Sequence, residues 1–291
     1  MKNIHSECSF DSIVVIESLE EGHKTGRKLA NEDLYVQGTV NKINISYCPV
    51  SNSEEFHDVL YKIDRDIHYG FQQILGKGSS KPILHVEAHG SRNGIQLLSG
   101  EIFPWPIFTD WCRRLNRPML NNLLVVLALC KGFKAIFDVD MTSLTPYWGL
   151  IGSEENISDT LAQFSGFYIE LFKTGDVQNS MVKLDDSYQL FLCEKIFITT
   201  FLKYYVNHCR GQGKQERLER LVTKFREKNP TRDYTEARKI LRENLKKAGF
   251  SFEQFKNRFL LADLPGNEDR FNFDFELIED VAEDYFQSHG V

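Results

Sequence analysis

The sequence predicts an α/β fold with a mostly parallel central sheet covered on both faces, followed by a helical C-terminal extension. Three observations predict it. Apolar, β-branched runs alternate with segments whose apolar residues recur at helical spacing. One of those runs, residues 123–130 (LLVVLALC), is apolar on both faces, as a central parallel strand is. At Gly211 the composition turns to charged, helix-forming sequence. A parallel pair needs a crossover connection, so strands and helices alternating in this way imply a sheet with helices on each side.

Each element has its own signal. Residues 12–19 (SIVVIESL) read as the first strand, and the polar stretch holding Gly22, Gly26 and Asn31 reads as loop passing into a short helix. Residues 43–50 (INISYCPV) form the second strand. Ser53 starts a helix whose face is Phe56, Val59, Leu60, Ile63, Ile67, Phe71 and Ile74, stopped by Gly76 and Gly78. Residues 83–88 (ILHVEA) are a third strand, 95–98 a short extension, 106–114 a helix and 123–130 the apolar strand. Residues 147–153 (YWGLIGS) are a further strand. In the helix that follows, Ser153 caps, Glu154 and Glu155 favour the positive end, Ile157, Leu161, Phe164, Tyr168 and Leu171 face inward, and Gly175 closes.

The expected domains are residues 1–210 and a helical extension at 211–291. In the extension, Leu218, Leu221, Val222 and Phe225 form one stripe ended by Pro230, and Ala237, Ile240, Leu241 and Leu245 form a second ended by Gly249. Its mixed-sign segments QERLERLVTKFREK and EARKILRENLKK read as solvated helix faces.

The 291 residues, 42% hydrophobic and 26% charged, suffice to bury a core. Lys+Arg 35 against Asp+Glu 41 gives a net charge of −6, which argues against nucleic acid as a direct ligand because there is no positive surplus to release counterions. The six cysteines are too few for a disulfide scaffold and show no paired zinc spacing, so reduced thiols are expected. The start, MKNIHSECSFDS, has no apolar signal core, and no apolar run approaches the roughly 20 residues of a membrane helix. A soluble cytoplasmic chain without membrane partners is the expectation.

Chemistry belongs at the carboxyl edge of such a sheet. The third strand ends in His89-Gly90, and the apolar strand ends in Cys130 followed by Lys131-Gly132. If the two strands are neighbours, an imidazole and a thiol face one another. A free thiol has pKa about 8.5 and is only a few per cent ionised at neutral pH, so an adjacent histidine is what turns it into a nucleophile. Gly90 and Gly132 allow close backbone approach, and the N–H groups of Gly90 and Cys130 are candidates for an oxyanion hole. Taken singly, a cysteine at the end of an apolar strand is an inert buried thiol more often than a nucleophile.

The order strand-His-Gly, then about 40 residues on, apolar strand-Cys-x-Gly, resembles the caspase-like cysteine peptidases, the group of caspases, metacaspases, separase, gingipains and bacterial CHAT domains. The stretch YWGLIGSEENISDTLAQFSGFYIELFKTGDVQNS is similar to the strand and helix that follow the cysteine strand in CHAT-type members, and the resemblance spans residues 12–184. It implies a caspase-like three-layer α/β/α fold with His89 as catalytic histidine, Gly90 as its partner glycine and Cys130 as nucleophile. It implies no cofactor and no acidic third member. It further implies a protein substrate, and a regulatory protein partner that triggers a bacterial antiphage effector.

The chain also departs from the family. Ala128 and Leu129 precede the cysteine, so the caspase glutamine and the metacaspase acid are both missing, and the substrate side chain stays open. Arg27 stands roughly where caspases keep an arginine for an acidic substrate residue, but GHKTGRKL differs enough that a surface-loop role ranks higher. Asp138 and Asp140 are candidates for a pocket taking a basic residue, or solvated loop acids. His85 reads as a hydrogen-bonded core residue. His85, Glu87 and His89 alternate on one strand face as metal ligands sometimes do, but no further motif completes a shell, and no metal is expected. The long loop 91–105 and the C-terminal helices are candidates for a gate. Two rival functions stay open: a non-catalytic interaction module on the same fold, and a cysteine amidase acting on a small molecule, which a closed pocket in place of a groove would favour.

Overall fold

A computed structural model describes residues 6–73, 80–157, 160–245 and 248–289. The chain divides into two compact units, Ser6–Cys193 and Glu194–Val291, and the composition change at Gly211 falls inside the second.

The first unit is α/β with a mixed, mostly parallel sheet. Its strands are β1 (Ser12–Ser18), β2 (Asn44–Pro49), β3 (Pro82–Gly90), β4 (Gly94–Gln96), β5 (Ile102–Pro104), β6 (Leu124–Ala128), β7 (Gly149–Ser153) and β8 (Tyr188–Leu192). The main order is β2-β1-β3-β6-β7-β8, parallel except for β8, which runs antiparallel to β7 at the edge. Every residue of β6 and β7 is buried, so both faces of the sheet centre are covered, an arrangement compatible with a helix–sheet–helix sandwich.

Helices α1 (Thr25–Lys28) and α2 (Leu34–Asn41), joined by a π-helical segment over Leu29–Asp33, connect β1 to β2. Helix α3 (Ser53–Gln73) is capped by Asn52: its Oδ1 accepts from the Glu55 N–H at 3.0 Å, and the Glu55 carboxylate accepts from the Ser51 N–H at 2.6 Å. The stop expected at Gly76 and Gly78 lies outside the described residues. Helix α4 (Trp105–Asn116) carries Pro106 in its first turn, and its Arg114 pairs with the buried Asp64 of α3 at 2.6 Å. After α4, Asn116 Oδ1 accepts from the Leu123 N–H at 2.9 Å and its amide donates to Thr145 O at 3.0 Å, fixing where β6 begins.

Two local expectations are corrected. The long loop 91–105 is a hairpin, β4–β5, paired to the end of β3 through His89 with Gln96 and Gly90 with Ile95. Ser153 is the last residue of β7, not a helix cap; its Oγ accepts from the Glu155 N–H at 3.0 Å, and α5 (Thr160–Thr174) starts later. That helix does close at Gly175, which holds φ +68° and donates its N–H to Leu171 O at 2.8 Å. A short helix α6 (Val177–Ser180), capped by Asp176, leads towards β8.

The second unit is helical: α7 (Cys193–Cys209, whose first residue belongs to the first unit), α8 (Gly211–Lys228), α9 (Tyr234–Leu245), α10 (Ala248–Leu260) and α11 (Phe275–His289). Phe197, Phe201, Phe252, Phe259 and Phe273 make its aromatic core, with Phe201 and Phe252 edge to face at 5.0 Å. Leu218, Val222 and Ala237 pack together with Phe225 and Leu241, as the two stripes predict. Gly249 belongs to α10 and does not end α9. Among the described residues no helix is long and apolar enough to cross a membrane.

Candidate active site

Parallel pairing of β3 with β6 runs from Leu84 opposite Val125 to Glu87 opposite Ala128. His89 and Cys130 each stand two residues past the last pair, at the carboxyl edge. Gly90 and Cys130 approach closely there. A Cβ on Gly90 would stand 1.7 Å from the Cys130 carbonyl oxygen and 2.7 Å from its carbon, so only glycine lets the two chains approach in this way.

His89 is exposed and Cys130 half-buried, whereas Cys8, Cys112 and Cys193 are buried; burial pushes the Cys112 thiol far up. The chain turns sharply after Cys130. Lys131, a residue with a side chain, holds the left-handed conformation at φ 58°, and its N–H is taken by Glu155 O at 3.1 Å. A short 3-10 helix, Gly132–Asp138, then leads the chain away.

Beneath this edge lies a buried polar layer. His85 is fully buried, with one ring nitrogen 3.1 Å from the Tyr168 hydroxyl and the other 3.0 Å from Glu87. The Thr25 hydroxyl donates to the second oxygen of Glu87. Glu17, paired in register with Glu87, accepts from the Gly26 N–H at 2.7 Å and the Tyr47 hydroxyl at 2.6 Å. Burial pushes the Glu17 carboxyl above its ordinary range, opposed by the Tyr47 and Gly26 hydrogen bonds and assisted by the charge of Glu87. Tyr188, paired with Ser153 across β7 and β8, is 6% exposed with its hydroxyl buried, and that oxygen has no partner among the described residues. Burial, then Asp185, Glu87 and the Cys130 thiol, push its pKa upward, so it stays a phenol beside the edge.

Glu17, Thr25, Tyr168 and Tyr188 were not singled out by motif. Their meeting depends on register between strands far apart in the chain and on the helices that carry Thr25 and Tyr168; the available signals were a carboxylate near the end of each of two strands, Glu17 and Glu87, and the inward place of Tyr168 on its helix.

The expected pocket residues part company. Asp138 lines an open cleft of about 520 Å³ together with Arg92, Asn93, Trp105, Pro106, Lys134 and Phe137; burial raises its carboxyl, Asp110 adds to this and Arg113 opposes it. Asp140 is not among the lining residues. Its carboxylate accepts from the Thr142 N–H at 2.8 Å and hydroxyl at 2.6 Å, which hold it ionised to lower pH. Arg27 lies exposed and pairs with Glu21 at 3.2 Å. Among the described residues no group of three or more His, Cys, Asp or Glu side chains is placed to hold a metal ion, and both ring nitrogens of His85 are engaged by Glu87 and Tyr168. In comparison with known proteins, the chain matches no family model and no curated protein.

Proposed function

We propose that the chain is a caspase-like cysteine endopeptidase in which His89 and Cys130 form the catalytic dyad. The observation that carries this reading is the in-register approach of the two strand ends, with Gly90 against the Cys130 carbonyl, a half-buried thiol and an exposed imidazole. His89 takes the thiol proton, and the thiolate attacks the carbonyl carbon of the scissile amide. The N–H groups of Gly90 and Cys130 receive the oxyanion. Collapse breaks the C–N bond as His89 returns the proton to the leaving amine. Water, deprotonated by His89, then hydrolyses the thioester and restores the thiol. No cofactor enters. The resemblance to CHAT-type members extends the proposal to a cytoplasmic bacterial defence effector, cleaving a protein and switched on by a protein partner.

A thiol-directed peptide electrophile tests the dyad. Wild type is expected to be labelled at Cys130, Cys130→Ala not at all, and His89→Ala about 100-fold more slowly, the low end of what a general base contributes. Equal labelling of all three removes the assignment.

A further inference from the structure

Both chain segments that leave the dyad go on to wall the same cleft. Arg92 and Asn93 follow His89-Gly90, and Lys134, Phe137 and Asp138 follow Cys130. Each wall is braced from behind. On one side the Trp105 indole donates to Ser91 O at 3.3 Å and the Trp105 N–H to Asn93 O at 3.2 Å. On the other the buried Tyr147 hydroxyl donates to Ala135 O at 2.8 Å. The cleft is therefore built into the fold, and each wall begins three or four residues along the chain from His89 or Cys130.

Its chemistry is specific. Neither Arg92 nor Lys134 has a carboxylate partner among the described residues; Lys134 stands 4.7 Å above the ring of Phe137, which is 69% exposed. Two cations without carboxylate partners, one of them over a largely exposed aromatic ring, converge in a chain whose net charge is −6. Asp138 is the single acid of the lining, against the two cations.

We infer that this cleft is a specificity subsite that takes an acidic residue of the polypeptide substrate next to the dyad, with Arg92 and Lys134 pairing its carboxylate and Phe137 covering an apolar neighbour. The inference rests on the peptidase reading. It takes the place of one of the two readings of Asp138 and Asp140, a pocket for a basic residue.

The test uses full-length Cys130→Ala and three fluorescein-labelled peptides identical except for a Glu-Phe-Glu, Gln-Phe-Gln or Lys-Phe-Lys centre, read by fluorescence anisotropy. The glutamate peptide is expected to bind about tenfold more tightly than the glutamine peptide, with the lysine peptide weakest. Adding Arg92→Glu and Lys134→Glu, with near-UV circular dichroism to verify the fold, is expected to reverse the order. Equal affinity for all three, no binding by any, or a glutamate preference that survives charge reversal overturns the subsite. The dyad is scored separately, by cleavage of the same peptides with wild type. Cleavage without charge preference overturns the subsite and leaves the peptidase. Charge-dependent binding without Cys130-dependent cleavage supports the subsite as an acidic-peptide site and removes the peptidase.

Discussion

Gly90 decides how closely a histidine-bearing strand and a cysteine-bearing turn meet. The position where its side chain would begin is occupied by the Cys130 carbonyl, 1.7 Å away, and that obstacle is backbone, which cannot swing aside like the end of a long side chain. Gly90→Ala must therefore push the β3 end and the Cys130 turn apart. Overpacking of this kind costs about 1–3 kcal/mol, and here the displaced atoms carry the proposed oxyanion donors. The expected outcome is a lower urea midpoint together with loss of Cys130 labelling. Wild-type stability and labelling in the alanine variant would mean that the strand ends do not touch in solution. His89 and Cys130 were legible from their types and from their places after strand runs. Gly90 was legible as the small residue beside them, though not that it rests on the Cys130 carbonyl.

At the scale of elements, β3 is bound on both sides by partners in fixed register, which sets Glu17 of β1 beside Glu87. Two carboxyls on neighbouring strands, one with its pKa raised by burial, make stability depend on pH. The sign follows from the neutral form being the one the fold prefers. Protection by Glu17 is complete below its ordinary value of 4.5 and fades as pH climbs through the raised folded value. Glu17→Gln keeps an oxygen to accept from the Gly26 N–H and an amide to donate to Tyr47, and it cannot ionise. Its melting temperature is expected to hold level over the window just above pH 4.5 where wild type declines; parallel profiles would rule out Glu17 as the source. The strands and main helices of the first unit were readable because apolar period and end signals agree, as in 123–130 and in the helix from Ser53. Strand β8 was not, because YQLFL passes straight into α7 without a turn residue and its edge place depends on β7. Residues 95–98 were read as a short extension and overlap β4, but β5 escaped for a related reason: it is three residues long, too short to show a period.

For the whole molecule, the decisive feature is that chain contacts divide at Cys193 while composition changes only at Gly211. Helix α7 has the apolar residues of a core helix, and its Phe197 and Phe201 pack on Phe252, so chemistry that resembles the first unit serves the core of the second. Composition follows solvent exposure, and a buried helix shared with neither linker nor charge run leaves no mark at its start. Two units with separate cores, one sheet-centred and one held by phenylalanine rings, need not melt together. The three tryptophans, Trp105, Trp111 and Trp148, all lie in the first unit, so tryptophan fluorescence reports that unit alone, while far-ultraviolet circular dichroism at 222 nm weights the helices of both. In a urea titration the two signals are expected to trace different midpoints, with the circular dichroism curve broader or biphasic. Superimposable curves, together with a calorimetric enthalpy equal to the van't Hoff value, would show instead that the two units unfold as one cooperative body.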